Sequence, residues 1–203
     1  MDGFQKRKQL KSLAILATSL QYFKQNGMKK TSLTQIAQQS NVSKATILNY
    51  YQSKENLIIQ TFKYHISQRF EEYEQVINQT NSFKDKISSL LFLQDPNQNI
   101  HQEFIYFYRD QLNSSESDIC QFYMEKRDAF YLQFFEHAKK TGEIDSHFSN
   151  EILMFYLKMM INGIKHYPSY IKLDQFSDDI VELFLHGVST YDKKNLDTSS
   201  KQE

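Results

Sequence analysis

The chain has 203 residues, 40% hydrophobic and 24% charged, which is enough to bury a core as one domain or two small ones. Five Gly and two Pro argue against an all-β fold, which uses those residues at its turns. The formal charge is zero but unevenly spread: Met1 to Lys63 holds ten Lys/Arg against Asp2 and Glu55, a net +8, and the other 140 residues carry −8. A basic first third joined to an acidic remainder implies that one part meets a polyanion and the other does not. A single cysteine, Cys120, excludes an internal disulfide and a zinc-finger spacing, and fits a reducing cytosol as a buried structural thiol. The first residues lack the apolar core of a secretory leader, and no run approaches the ~20 apolar residues of a membrane span. The expectation is a cytoplasmic protein with no membrane partner.

The elements follow in chain order. Phe4 to Asn26 reads as a helix: Leu13, Leu16, Leu20 and Phe23 recur at three- and four-residue intervals, and Gly27 suits its C-cap. Its polar lead, QKRKQLK, is within the basic third and either reaches a phosphate backbone or is merely solvated. Ser32 and Gln35 have the spacing of a capping box, opening a short helix with Ile36 and Ala37 at its middle. Ser40-Asn41-Val42 interrupts it, and Asn41 takes a left-handed conformation cheaply. Ser43 caps the next helix, Lys44 to Tyr51, and Ser53 a third.

This is the pattern of a helix-turn-helix, with Ala37 as the small residue where two steeply crossed helices meet. Ile47 and Tyr50 are expected on the inner side of the second helix. Its outward face is expected to carry Lys44, Ala45, Thr46, Leu48, Asn49 and Tyr51, short polar groups with a base-reading amide and a cation at the end that enters a major groove.

From Lys54 a long helix runs to about Gln79, with Leu57, Ile58, Phe62, His65, Ile66, Phe70, Tyr73 and Ile77 along one stripe. It begins in the basic region and ends in the acidic one. Loops at 80–82 and 94–97 bracket a short helix from Phe83 to Leu93. Aromatic-rich helices follow over Ile100–Leu112 and Glu116–Thr141, the second ending before Gly142. Asn150 to Tyr167 is stopped by Pro168, and a last helix opens at Asp174 or Ser177 and runs to about Tyr191.

Ile152, Phe155, Met159, Gly163 and Ile164 form a stripe on the first of this final pair; Ile180, Phe184, Gly187, Val188 and Tyr191 form one on the second. A glycine deep in a helix costs ~1 kcal/mol against alanine, so close approach of another backbone is expected at each. The pair suits a four-helix bundle made by two chains, with Phe155, Met159, Gly163, Ile180, Phe184, Gly187, Val188 and Tyr191 at the dimer interface. The tail 192–203 reads as disordered.

The sequence resembles the TetR family of bacterial transcriptional regulators from Ile15 to Leu57. Ile15-Leu16, Tyr22-Phe23, Gly27, Thr31, Ile36-Ala37, Val42-Ser43, Thr46, Tyr50-Tyr51 and Ser53-Lys54-Glu55 with Leu57 carry the likeness by order and spacing. Thr141-Gly142-Glu143-Ile144 is a weaker echo. Asn41 and Ala45 stand where the family favours glycine, and Leu48 where it most often has a DNA-contacting tyrosine, a change that bears on operator preference and not on the fold.

The resemblance implies an all-α chain of about nine helices. A three-helix helix-turn-helix DNA-binding domain (1–53) would precede a helical effector-binding and dimerisation domain (54–191). It implies a ligand-responsive regulator, a repressor by default, that holds a palindromic double-stranded operator as a homodimer and is released by a small hydrophobic or aromatic effector. The DNA-binding set is Thr31, Ser32, Ser43, Lys44, Ala45, Thr46, Asn49, Tyr50 and Lys54. Within it Thr31, Thr46, Tyr50 and Lys54 match phosphate-holding positions and Lys44, Ala45 and Asn49 face base edges. Tyr73, Phe104, Phe107, Tyr108, Tyr123, Arg127, Phe130, Tyr156 and Met159 are the effector-pocket candidates, although an aromatic at helical spacing is more often core.

No nucleophile elbow, phosphate-cradling glycine loop or HExxH is present, so an enzyme is not expected, nor a cofactor. His101, His137, His147 and His166 lack paired ligand spacing, so neither is a metal. The competing class is a DNA-bound adaptor for division or chromosome organisation, whose second domain binds a protein.

Overall fold

A computed structural model of the chain describes residues 3–79, 82–92, 100–167 and 176–188. The predicted breaks at 80–81 and 94–97, Pro168, Asp174, Tyr191 and the tail 192–203 lie outside them. The described elements are nine helices: α1 (Gly3–Asn26), α2 (Leu33–Gln39), α3 (Lys44–Tyr51), α4 (Lys54–Gln79), α5 (Phe83–Phe92), α6 (Gln102–Asn113), α7 (Asp118–Lys140), α8 (Asn150–His166) and α9 (Ser177–Val188). The all-α expectation holds, with ends within two residues of those read from the sequence for most helices. None is long and apolar enough to cross a membrane.

The chain divides into two compact units, one of residues 1–72 with 95–127 and the other of 73–94 with 128–203. In the first, α1, α2 and α3 pack around Ile15, Phe23, Ile36, Ala37 and Ile47, all buried. The buried stripe of α4 (Leu57, Phe62, His65, Ile66 and Phe70) continues that core. Its centre is aromatic: Phe104 stacks on Phe62 with ring centroids 4.5 Å apart, and Phe107 and Tyr108 lie at 5.1 and 5.5 Å. Offset ring packing of this kind adds to the area buried. The Cys120 thiol is buried and donates to the Leu112 carbonyl.

In the second unit α5 packs on α9 and α8. Phe83 stacks on Phe134 at 5.9 Å, and Tyr156 of α8 on Phe184 of α9 at 5.2 Å. Gly142, at φ 77, ends α7 in the left-handed conformation, which lets the Glu143 N–H turn back to the Ala138 carbonyl.

Candidate nucleic-acid interface

Three caps fix the helix-turn-helix, each legible in the sequence. Ser32 Oγ accepts from the Gln35 N–H at 3.2 Å while Gln35 Oε1 accepts from the Ser32 N–H at 2.8 Å, a complete capping box. Asn41 adopts φ 53, so the chain turns between α2 and α3 and the Val42 N–H reaches the Ala37 carbonyl. Ser43 Oγ accepts from the Thr46 N–H at 3.0 Å and opens α3. Ser53 repeats the device for α4 through the Asn56 N–H.

Two features of α3 differ from the sequence reading. Tyr51, expected outside, is buried: it lies four residues from the buried Ile47, on the same face. Its hydroxyl donates to the Ser12 carbonyl at 3.1 Å and sits 2.8 Å from Ser12 Oγ, tying α3 to α1. Burial pushes the Tyr51 phenol above its ordinary range, against the opposing effect of the Ser12 hydrogen bond. Tyr50, expected inside, is half-buried, and its hydroxyl donates to the Lys8 carbonyl at 3.4 Å.

Lys44, Ala45, Leu48 and Asn49 are exposed and Thr46 is half-buried, its hydroxyl 2.9 Å from Ser43 Oγ. Ser32 and Ser43 are exposed with their oxygens engaged in capping. Lys54 is half-buried at the first turn of α4, beside Glu55, whose carboxyl is held below its ordinary range by its own backbone N–H and by Ser53. Thr31 is a correction. Its side chain is buried, and the hydroxyl donates to the Gly27 carbonyl at 2.7 Å, closing the end of α1.

No Asp or Glu occurs from Gly3 to Lys54, while nine Lys/Arg do. That stretch has no compensating charge of its own along the chain, and a run of cations of this kind attracts a nucleic-acid backbone.

The effector-pocket candidates fall into two groups. Phe104, Phe107, Tyr108, Tyr123 and Arg127 belong to the first unit, where the first three pack on Phe62 and Arg127 lies 5.8 Å over the Tyr123 ring. Tyr73, Phe130, Tyr156 and Met159 belong to the second. Of the nine, Phe130 lines a cleft of about 270 Å³ with Glu74, Ile77, Asn78, Gln133, Phe134 and His137. Met159 is 49% exposed on the surface of α8 and does not line that cleft.

Among the interface candidates, Phe155 is 63% exposed and, with Met159 and Ile152, forms an apolar stripe on the outside of α8. Ile180 is half-buried, Gly163 and Gly187 are exposed, and Val188 ends α9. Phe184 is fully buried against Tyr156 and belongs to the core, because the face of α9 that meets α5 and α8 carries it inward. The two glycines differ as well. A Cβ on Gly187 would meet the Tyr156 hydroxyl at 3.0 Å, so this glycine serves packing within the subunit, whereas nothing lies within 4 Å of one on Gly163.

Residues 15–61 match the family model described as bacterial regulatory proteins, tetR family. Over that stretch the chain is similar to the TetR family. The chain is 28% identical over 86 residues to the fatty acid metabolism regulator protein of Bacillus subtilis (strain 168). That match covers 42% of this chain and 44% of the relative, so it spans less than half of each. Two solved structures of transcriptional regulators share the fold. A TetR-family transcriptional regulator of Cytophaga hutchinsonii superposes with TM-score 0.60 at 13% identity, covering 91% of this chain and 98% of that one. The Bacillus subtilis regulator FadR, crystallised with stearoyl-CoA, superposes with TM-score 0.50 at 18% identity, covering 87% and 98%.

Proposed function

We propose that this chain is a transcriptional regulator of the TetR family whose α3 enters the major groove of a palindromic operator, one copy from each subunit of a homodimer. The observation that carries this is the exposed face of α3, where Lys44, Ala45 and Asn49 stand clear of the core on a stretch without a single carboxylate. Asn49 has the amide to pair with adenine, Ala45 a methyl to meet thymine, and Lys44 a cation for guanine or phosphate. Residues 1–53 read DNA in this account, and the rest binds an effector and pairs the subunits through α8 and α9.

Repression relieved by a small hydrophobic effector is the working mode. A fatty-acyl thioester is the first class to test, because the B. subtilis regulator similar in fold was crystallised with stearoyl-CoA and the second domain is rich in Phe and Tyr. The effector acts by preferring the subunit arrangement that DNA does not, so its influence is set by that difference in affinity. Helices α4 and α7 each have residues in both compact units and are the continuous elements able to relay such a preference.

The test is fluorescence anisotropy with labelled duplex taken from upstream of the protein's own gene, titrated with and without long-chain acyl-CoA. Tight binding to that duplex over a scrambled one, weakened by the acyl-CoA, is the expected result. Tight binding that no hydrophobic small molecule alters favours the adaptor reading; equal affinity for both duplexes removes operator recognition.

A further inference from the structure

We propose that the first turns of α1 form a second DNA-contacting strip beside the recognition helix, in which Arg7, Lys8 and Lys11 neutralise phosphates of the duplex that α3 reads. This rests on the DNA-binding role proposed above. Phe4, Arg7, Lys8 and Lys11 follow the i, i+3, i+4, i+7 spacing that sets four side chains on one helical face. On a packed helix such a face is apolar. Here three of the four are cations and all four are exposed, Phe4 at 63%.

The face lines a groove of about 350 Å³ whose other wall is Asn49 and Tyr50 of α3. A cationic strip and a base-reading amide therefore share one opening. The contact that holds the walls together leaves the cationic groups unused, because the Tyr50 hydroxyl donates to the main-chain carbonyl of Lys8. An ordinary solvated helix intersperses both signs of charge, whereas α1 has no acidic residue in its 24 positions. Arg7 and Lys11 are four residues apart, roughly 6 Å along the axis, so the cations form a row. A row suits a polyanion running past it better than a single free phosphate.

The experiment measures affinity for a random-sequence duplex of about 30 base pairs, roughly three turns, across a range of KCl concentrations. The full-length protein is compared with the triple variant Arg7→Gln, Lys8→Gln, Lys11→Gln and with Lys6→Gln, an exposed cation that does not line the groove. Each lost phosphate contact removes about 0.9 from the slope of log affinity against log salt, so the triple variant should lose about 2 to 3 and Lys6→Gln far less. The thermal midpoint should not move, since the replaced groups are exposed. A triple variant with the wild-type slope overturns the strip, as does a Lys6→Gln effect as large per charge. Wild-type protein without salt-dependent affinity for duplex overturns the DNA-binding role as well; a normal wild-type slope that the triple variant keeps overturns only the strip.

Discussion

Glu103, at the start of α6, accepts a hydrogen bond from the backbone N–H of Lys29 with both carboxylate oxygens, at 3.2 and 3.4 Å, across 74 positions of sequence. Beside it the His101 N–H donates to the Lys24 carbonyl at 2.7 Å, and His101 Nδ1 accepts from the Glu103 N–H. Together they seat the beginning of α6 on the turn that joins α1 to the helix-turn-helix. The fit depends on Gly27, which lies at φ 79 and whose Cβ, if present, would collide with Glu103 Oε2 and meet the His101 ring at 2.9 Å.

Gly27→Ala therefore meets two costs, a left-handed backbone and a crowded neighbour, and is expected to destabilise by roughly 1–3 kcal/mol in urea unfolding. Glu103→Ala alone should cost about 1 kcal/mol through the lost hydrogen bonds. Made together they should cost less than their sum, because the second removes part of the first's collision. Strict additivity would mean that the carboxylate gives way freely.

The pH dependence of Tyr51 has a definite sign. Its folded phenol titrates above the ordinary 10.0, so its contribution to stability is fully present below that pH and is lost as pH rises through the folded value. Above pH 10.0 the unfolded chain ionises this group while the folded one resists. Stability measured by denaturant melts from neutral to strongly alkaline pH should thus fall less steeply in Tyr51→Phe than in wild type. At neutral pH the variant should be about 1 kcal/mol less stable for want of the Ser12 hydrogen bonds. Parallel pH curves would remove Tyr51 as a source of alkaline instability.

Lys54 and Asn49 should separate affinity from sequence reading. Lys54→Ala is expected to weaken binding to all duplexes alike and to lower the salt slope by about one, as a phosphate contact does. Asn49→Ala should leave the slope intact and reduce discrimination between operator and scrambled duplex, by about 1–3 kcal/mol if its amide pairs with a base. Binding assays over a KCl series with both duplexes distinguish the two, and a reversed pattern would exchange their roles.

The helix-turn-helix was legible because its signals are local. Ser32 and Gln35, Asn41 and Ser43 act within three or four residues of themselves, so short-range chemistry decides them. Contacts made across the fold were not. Glu103 reads as one more solvated carboxylate on its helix, and only the folded chain brings it to Lys29. Tyr50 and Tyr51 are chemically alike neighbours, and which one turns inward depends on Ser12, 39 positions before Tyr51. Gln52, at φ 65, gave no warning because glutamine has no special tolerance for positive φ. The final helices show the same limit, since the pattern on α9 marks Phe184 as apolar without saying whether its own subunit or a second one covers it.

Covering of the α8 surface can be decided by three variants. Phe155→Glu puts a charge into the exposed apolar stripe beside Ile152 and Met159, where an unpaired charge within an interface is strongly unfavourable. If two subunits pair there, analytical ultracentrifugation should show a monomer that keeps its helical circular dichroism. Phe184→Ala should instead lower the stability of the subunit by about 3–5 kcal/mol, since it empties a fully buried site stacked on Tyr156. Gly163 supplies the sharpest contrast. In an isolated subunit Gly163→Ala meets nothing and should stabilise α8 by up to ~1 kcal/mol. Against a partner helix in close approach the same methyl should weaken the dimer. A Gly163→Ala protein that is both more stable and equally dimeric would place the subunit contact elsewhere.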